Sequence, residues 1–217
     1  MPDDGQPCPF EPGMFMMIAG LDAAGVKYTA RAFSIASDPS TPGMEFMVIK
    51  EPRHGDHIGK SHFVDSKVGD IFMLKGPSGQ FRFNPATDKK VGFIAGGTGL
   101  APFTSMLRHI KVTNSQNDAV LFYSTKFANE IIWKDELNSY VKDLGLKMII
   151  TVTRPAEGDG WTGQTGHVDA EMIKKYTPDF VERGWYICGP LAFVKATKDA
   201  LISLGVPANK VSADVWG

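Results

Sequence analysis

Apolar and polar residues follow two different patterns in the two parts of the chain. Up to about residue 85, short β-type segments are separated by turns that contain Gly and Pro, as in small antiparallel sheets whose chain reverses often. We therefore predict an N-terminal antiparallel β-barrel over residues 1–86. Its predicted strands are Met14–Gly20, Lys27–Ala36, Glu45–Lys50 and Asp70–Lys75.

From Lys89 onward, apolar strand-like runs alternate with amphipathic segments of helical length. This alternation is typical of a parallel sheet whose strands are joined by helical crossovers. We predict a doubly wound α/β domain over residues 87–217. Its predicted strands are Val91–Ala95, Ala119–Ser124, Lys147–Thr153, Trp185–Cys188 and Val211–Val215.

Two helices of this second part have recognisable ends. The segment Pro190–Leu204 begins with Pro and is followed by Gly205, which are favoured positions for these residues. The other helix has its apolar positions at Trp133, Leu137, Tyr140, Val141 and Leu144, with Gly145 as its C-terminal stop.

Pro77–Asp88 is rich in turn formers and is predicted to connect the two parts.

Charge and composition exclude several classes of function. The formal net charge is −1, from 23 basic and 24 acidic residues without long blocks, so no nucleic-acid or anionic membrane surface is expected. The most apolar stretch, Met14–Leu21, is far shorter than a membrane span, and we expect a cytoplasmic protein. Cys8 and Cys188 cannot hold an iron–sulfur cluster by themselves, so any such chemistry must come from a partner.

A Gly-rich turn is the strongest local motif. Ala95–Pro102 follows a predicted strand and opens a helical pattern through Leu107 and Ile110. Backbone amides in such a turn can approach a pyrophosphate, and the helix N-terminus favours its negative charge. The turn lacks the G-x-G-x-x-G spacing, so by itself it is also compatible with a simple tight connection.

Three further stretches are candidates for cofactor binding, and each also has an ordinary structural interpretation. Arg31–Ser34 places Arg31 and Phe33 on one face of a strand, which is also common in half-exposed strands. His57–Ser61 offers backbone amides and a hydroxyl to a phosphate. Cys188–Pro190 ends a strand at the carboxyl edge of the predicted sheet, where Cys188 is either a ligand-site residue or a buried packing residue.

These four stretches, in this order, resemble the ferredoxin–NADP reductase superfamily, which includes the reductase components of oxygenases and small flavin reductases. The resemblance runs from Pro12-Gly13 to Trp216-Gly217. It implies that residues 1–86 form a flavin-binding domain and that residues 87–217 bind NAD(P)H. The implied flavin is FAD in preference to FMN.

The resemblance also implies flavin contacts in the first part. Arg31 matches the arginine that binds a flavin phosphate, Phe33 replaces the family's Tyr beside the flavin ring, and Ser34 matches the residue near flavin N5. The other implied flavin contacts are Ile49 and Lys50 in the strand Phe46–Lys50, and Gly59, Lys60 and Ser61 in a second phosphate segment.

In the second part the resemblance implies nicotinamide contacts. Cys188 matches the cysteine beside nicotinamide C4, and the ending Asp214–Gly217 matches an acidic-x-aromatic terminus in which Trp216 covers the flavin. Trp161–Val168 resembles a further family segment, with Gln164 where Arg is common. The implied pyrophosphate and nicotinamide contacts are Gly96, Gly97, Thr98, Gly99, Gly189 and Pro190, and the implied catalytic residues are Ser34, Cys188, Asp214 and Trp216.

The coenzyme preference depends on residues near the adenosine ribose. Thr153-Arg154 aligns with a Ser-Arg pair that binds the 2′-phosphate in NADPH-using members, and Ser124 with Lys126 adds to it. We expect NADPH in preference to NADH, although solvation of surface cations explains these residues nearly as well.

One departure concerns the barrel. Members of the family have a further barrel strand before the position of Pro12-Gly13. We expect a barrel that lacks this first strand, that is closed by a partner chain or a second copy, or that is compensated by the Pro-rich N-terminus. No metal is predicted, because His54, Asp56, His57 and His62 lack the fixed helical face of a zinc site.

The implied reaction is hydride transfer from NAD(P)H to bound FAD, followed by single-electron transfer to a ferredoxin or another small redox protein. Two alternatives share these motifs. One is a free-flavin or quinone reductase, and the other is a non-catalytic nucleotide-sensing or regulatory subunit with the same fold.

Overall fold

The computed structural model describes residues 8–20, 30–48 and 63–216, and it contains two sheets. The first is antiparallel, with strands β1 (Phe15–Gly20), β2 (Arg31–Ser34) and β3 (Phe72–Ser78) in the order β2-β1-β3. Met16 and Ile18 of β1 are buried in a small apolar cluster with Phe10 and Ile35. The predicted antiparallel N-terminal sheet is therefore confirmed.

Several predicted strand bounds in this part are wrong; β2, for example, ends at Ser34 and not at Ala36. Within residues 45–48, the predicted strand Glu45–Lys50 is reduced to one isolated bridge between Ile35 and Phe46. The reason is that the chain turns between these residues, and the Ala36 amide donates to the Glu45 carbonyl at 2.8 Å. Strand β3 ends three residues later than predicted, so Pro77 belongs to the sheet and not to the connection.

The rest of the predicted connection is packed against the second part. Phe81 and Phe83 are buried, and their rings meet Tyr186 edge-on, with ring centroids 5.4 and 6.1 Å away. Apolar contact of this kind attaches the segment to the α/β core, so it does not act as a free linker.

The second sheet has six parallel strands in the order β7-β6-β5-β4-β8-β9. It confirms the predicted parallel α/β domain, and each predicted strand is present with its ends shifted by two residues or fewer. The two-residue strand β7 was not predicted, because a segment this short has no readable periodicity. The strands are β4 (Lys90–Gly96), β5 (Asp118–Thr125), β6 (Lys147–Val152), β7 (Gln164–Thr165), β8 (Gly184–Pro190) and β9 (Val211–Trp216).

Four helices cover both faces of this sheet. They are α1 (Leu100–Val112), α2 (Lys134–Asp143), α3 (Ala170–Tyr176) and α4 (Leu191–Ser203). Apolar residues of α1 and α2 pack in one core cluster, and those of α3 and α4 pack in the other. The sheet is therefore doubly wound, with its carboxyl edge left open for ligands. No helix among the described residues is long and apolar enough to cross a membrane.

The helices depart from prediction at three residues, Trp133, Val141 and Pro190. Trp133 precedes α2 in a left-handed conformation, with φ of 51°, and Val141 is 42% exposed although it was counted in the apolar stripe. Helix α4 begins at Leu191 because Pro190 still belongs to β8. Helix α3 was not predicted, and Asp169 caps it by accepting a hydrogen bond from the Met172 amide at 2.8 Å.

Candidate functional site

The candidate site lies where the strand order of the parallel sheet reverses. Strands β4 and β8 are neighbours in the sheet but not in the sequence. After β4 the chain forms β5, β6 and β7 on one side of β4, and it then returns to form β8 and β9 on the other side. Ligands of open α/β sheets bind at such a switch point, outside the carboxyl ends of the strands. The Gly-rich turn after β4 and the motif Cys188–Pro190 of β8 meet there.

Close contacts explain Gly96 and Gly99 of the turn, and a positive φ explains Gly97. A Cβ on Gly99 would lie 2.1 Å from the Cys188 carbonyl oxygen, so only hydrogen fits at this position. A Cβ on Gly96 or on Gly189 would lie 2.9 or 2.8 Å from the Phe193 ring. The predicted pyrophosphate turn and the predicted Cys-Gly pair are thus directly packed against each other.

The turn leads straight into α1. Gly97–Gly99 form a single 3-10 turn, Gly97 has a φ of 55°, and Thr98 is partly exposed. No side chain of the described residues caps the N-terminus of α1, although the Leu100 amide donates to the Gly97 and Thr98 carbonyls. Its first backbone amides therefore have no side-chain acceptor, which is the arrangement that binds the phosphates of a dinucleotide.

Cys188 and Asp214 are register partners on β8 and β9. Cys188 is 1% exposed. Burial, with a smaller effect from the Asp214 carboxylate, raises the pKa of the Cys188 thiol well above its usual value. Burial also raises the pKa of Asp214. Cys188 is therefore a neutral thiol near pH 7 and contributes shape and weak polarity, not a thiolate nucleophile.

Trp216 lies at the end of β9, in register with Pro190. A Cβ on Gly97 would be 4.0 Å from its ring, which places the indole beside the Gly-rich turn. Its Nε1 is buried and has no hydrogen-bond partner in the part of the chain that the structure describes. Buried indole N–H groups normally have an acceptor, so this donor indicates a place for a ligand acceptor.

The predicted flavin residues Arg31, Phe33 and Ser34 form strand β2. Arg31 and Phe33 stand opposite Ile18 and Met16 of β1, so they share a face of the antiparallel sheet, as the alternation predicted. Arg31 is half-buried, and its Nε has no hydrogen-bond partner among the described residues. An arginine with a buried free donor is suited to bind an anion.

Phe33 has a more enclosed environment than its motif suggested. Its ring packs edge-on against Phe63, with centroids 4.9 Å apart, and against Phe46 at 6.5 Å. The side chain remains partly exposed.

Five predicted flavin contacts and the His-rich segment lie outside the described residues, namely Ile49, Lys50, Gly59, Lys60, Ser61, His54, Asp56, His57 and His62. The described residues contain no group of acidic, His and Cys side chains that could hold a metal.

The predicted ribose-phosphate residues lie together at the ends of β5 and β6. The Arg154 amide donates to the Lys126 carbonyl at 2.8 Å, and both side chains are exposed. The Thr153 hydroxyl is already bonded to the Thr125 carbonyl at 3.2 Å. Ser124 is buried, with 6% exposed. The pair Arg154 and Lys126 therefore carries the positive charge that is available to a ligand.

The segment around Gln164 closes the far edge of the sheet. The Trp161 indole donates to the Gln164 carbonyl at 2.8 Å, and Gly163 lies so close that a Cβ there would be 2.3 Å from the Trp161 ring. Gln164 forms β7 through its backbone. The segment therefore packs and closes the β7 edge of the sheet.

The sequence interpretation missed the face of α1 that joins the two parts of the chain. Ser105, Arg108 and His109 contact residues 36–38, which begin two residues after the end of β2. A signal was present, because polar residues at positions i, i+3 and i+4 interrupt an otherwise apolar helix.

Comparison with known proteins agrees with this geometry. The family model described as an oxidoreductase NAD-binding domain matches residues 93–199. The glycine betaine monooxygenase reductase subunit of Pseudomonas aeruginosa is 29% identical over 209 residues, which cover 96% of this chain and 56% of that protein. NADH-cytochrome b5 reductase 1 of Lodderomyces elongisporus is 31% identical over 196 residues, which cover 88% of this chain and 65% of that protein.

Among solved structures, the FAD/NAD-binding domain of nitric oxide dioxygenase from Vibrio cholerae superimposes with a TM-score of 0.85. The identity is 21%, and the match covers 100% of this chain and 90% of that one. This chain spans between 56% and 65% of the length of the two curated relatives.

The fold and the site together define a class of protein, in which an antiparallel sheet precedes an oxidoreductase-type NAD-binding α/β unit. More specifically, residues 93–199 match the oxidoreductase NAD-binding domain family, and the chain as a whole is similar to reductases of the ferredoxin–NADP reductase type.

Proposed function

We propose that this chain transfers hydride from NAD(P)H to a bound FAD and passes the electrons singly to a redox protein. The observation that carries the proposal is the convergence of three motifs at one switch point. The turn Gly96–Gly99 packs on Cys188, Asp214 pairs with Cys188, and Trp216 lies beside Gly97. These contacts support a nicotinamide site next to Cys188 and a pyrophosphate site over the turn.

We further propose that residues 1–86 supply the flavin site and residues 87–217 supply the nicotinamide site. Two observations indicate that the described residues fit these groups. Among the described residues, the buried Arg31 Nε has no hydrogen-bond partner and is suited to a flavin phosphate, and the buried Trp216 Nε1 beside the nicotinamide turn also has none. Ile49, Lys50, Gly59, Lys60 and Ser61 stay in the proposal as flavin contacts on the strength of their motifs.

When bound, the flavin supplies the redox chemistry, by accepting two electrons with a hydride and releasing them one at a time. The chain supplies alignment and electrostatics. Cys188 lines the site as a neutral thiol, because its burial raises its pKa. Ser34 offers a hydroxyl from β2, and Trp216 covers the site and excludes water.

For the coenzyme we propose NADPH over NADH. Arg154 and Lys126 are exposed at adjacent strand ends and are held together by the bond between the Arg154 amide and the Lys126 carbonyl. Two exposed cations at neighbouring strand ends suit a 2′-phosphate. For the acceptor we propose a ferredoxin or a comparable one-electron carrier, since the names of both curated relatives describe reductases that serve a redox partner.

The proposal is tested by an anaerobic absorbance titration of the purified, flavin-reconstituted protein with NADPH and then with NADH. Bleaching of the flavin band is expected with both coenzymes, at lower concentration with NADPH. Reduction of free flavin or quinone at rates that no added ferredoxin changes would instead indicate a flavin or quinone reductase. A protein that binds nicotinamide but retains and reduces no flavin would be a nucleotide-sensing subunit.

A further inference from the structure

Side chains on one face of α1 form hydrogen bonds or close polar contacts with three consecutive residues of the N-terminal part, residues 36–38. The Ser105 hydroxyl donates to the Ser37 carbonyl at 2.7 Å, Arg108 donates to the Ala36 carbonyl at 2.9 Å, and His109 Nδ1 lies 2.7 Å from Asp38 Oδ2. Residues 36–38 and Ser105 are buried. The Ser105 bond is therefore shielded from water, and the Arg108 and His109 bonds are partly shielded because their side chains are 19% and 25% exposed.

Arg108 makes the most extensive of these contacts. Its Nε and Nη2 bind both oxygens of Glu136 on α2, at 2.7 and 2.9 Å. Its Nη1 binds the Ala36 carbonyl and Glu45 Oε2, at 2.9 and 2.5 Å. The guanidinium also lies 5.3 Å from the centre of the Trp133 ring. A planar fork with donors in fixed directions can bind all these groups together.

The two ends of this linkage lie close in sequence to the two halves of the proposed site. Ala36 follows Ser34 by two residues, and the intervening Ile35 is fully buried. Helix α1 starts directly after the turn Gly96–Gly99. A shift of α1 against residues 36–38 would therefore move the nicotinamide turn relative to β2.

We propose that Arg108 is a positioning residue that sets the placement of the nicotinamide turn relative to β2, and so the alignment for hydride transfer. The inference rests on the proposed function. It adds Arg108, a residue to which that function assigns no contact with flavin or nicotinamide. Arg108 acts through Ala36 on one side and through its own helix on the other. Its carboxylate partners Glu45 and Glu136 hold the guanidinium in this orientation.

The test compares Arg108→Lys with a matched control, Lys111→Ala. Lysine keeps the charge but cannot bind Glu136 with two parallel bonds while also binding Ala36. Lys111 lies on the same helix and pairs with Asp143 at 2.7 Å, with both side chains nearly half exposed. Among the described residues its side chain has no hydrogen bond to residues 36–45, although it lines the same cavity as Asp38 and Thr41. Glu45→Gln is a milder second variant, because the Glu45 side chain is 46% exposed and its loss leaves the core intact.

Two measurements are made on each variant. The first is stopped-flow reduction of the flavin-loaded protein by NADPH and by its C4-deuterated form. We expect Arg108→Lys to slow reduction roughly tenfold or more, with a larger deuterium effect and unchanged flavin content, since small misplacements of reacting atoms are costly. Glu45→Gln should slow it about threefold, and Lys111→Ala should leave the rate unchanged.

The second measurement is hydrogen exchange in the cofactor-free protein. The Ala36 amide donates to Glu45 and the Glu45 amide donates to Ser37 Oγ. Exchange at these amides should accelerate in Arg108→Lys and not in Lys111→Ala. Reduction within twofold of the parent in both Arg108→Lys and Glu45→Gln would overturn the inference. A parent protein that neither coenzyme reduces would refute the proposed function instead, while the exchange data would still show whether Arg108 joins the two parts.

Discussion

Substitution of Gly99 by Ala perturbs the contact on which the candidate site depends. The new methyl carbon would lie 2.1 Å from the Cys188 carbonyl oxygen, 2.5 Å from its carbon and 2.9 Å from the Gly189 nitrogen. Non-bonded heavy atoms prefer separations of about 3.5 Å. All three neighbours are backbone atoms, so the turn must move away from β8 by roughly 1 Å or more.

The expected magnitudes follow from that displacement. Overpacking of a close contact costs about 1–3 kcal/mol, and a chain of this size loses about 2–4 °C in Tm for each kcal/mol. Gly99 has a φ of −60°, so an alanine there adds no backbone strain, and any loss comes from the clash. A displacement of about 1 Å in the turn should also slow flavin reduction by up to about 10²-fold.

Thermal unfolding and stopped-flow reduction by NADPH measure the two effects. Gly184→Ala is the matched control, because Gly184 begins the same strand β8 and a Cβ there meets nothing within 4 Å. The control should match the parent in Tm and rate. If Gly99→Ala also matches the parent in both, the turn does not pack on Cys188 as described, and the site geometry is refuted.

Four other changes have defined outcomes. Arg31→Ala should weaken flavin retention by about 1.5–3 kcal/mol, the value of a charge-assisted contact, as measured by flavin release on dilution; equal retention would argue against a phosphate contact. Arg154→Ala should raise KM for NADPH and spare NADH, and equal effects on both coenzymes would reject the 2′-phosphate role. A maleimide should label the half-buried Cys8 in the folded protein and leave Cys188 unmodified at pH 7.5, because burial raises the pKa of Cys188; equal labelling rates would show that Cys188 is accessible. Asp38→Asn should lower Tm at pH 7. Burial opposes ionisation of Asp38, but hydrogen bonds from neighbouring groups outweigh burial and lower the pKa of Asp38. The carboxylate therefore stabilises the fold at pH values above the pKa of an unfolded Asp, about 3.9. This stabilisation is lost as the pH falls through the lower pKa of the folded state. A Tm difference that persists unchanged at pH 2 would contradict this account.

The two halves of the chain were predictable to different degrees. In the α/β part, apolar runs such as Val91–Ala95 and Trp185–Cys188 are buried on both faces of a parallel sheet, so they read as continuous strands. In the first part, Glu45–Lys50 has the composition of a strand, yet residues 45–48 make only one bridge. Strand pairing there depends on which partner the turn brings near, and local composition does not specify it.

The candidate site shows the same division. Glycines at 96, 97 and 99, the Cys188-Gly189 pair and Trp216 were predictable as motifs, because each needs a particular residue type at a strand end. Their mutual packing was not. It depends on β4 and β8 becoming neighbours although 87 residues separate the end of one from the start of the other.

The sequence by itself determined the five longer strands of the α/β part, the parallel class of the second sheet and the residues that mark its carboxyl edge, because burial and backbone conformation restrict residue choice locally. Only the tertiary structure decided that Gly99 lies on the Cys188 carbonyl, that the Trp216 indole lacks a partner among the described residues, and that Arg108 joins α1 to Ala36. Each of these contacts joins segments far apart in the chain. Which distant segments meet depends on the packing of the whole fold, and no local pattern of residues records it.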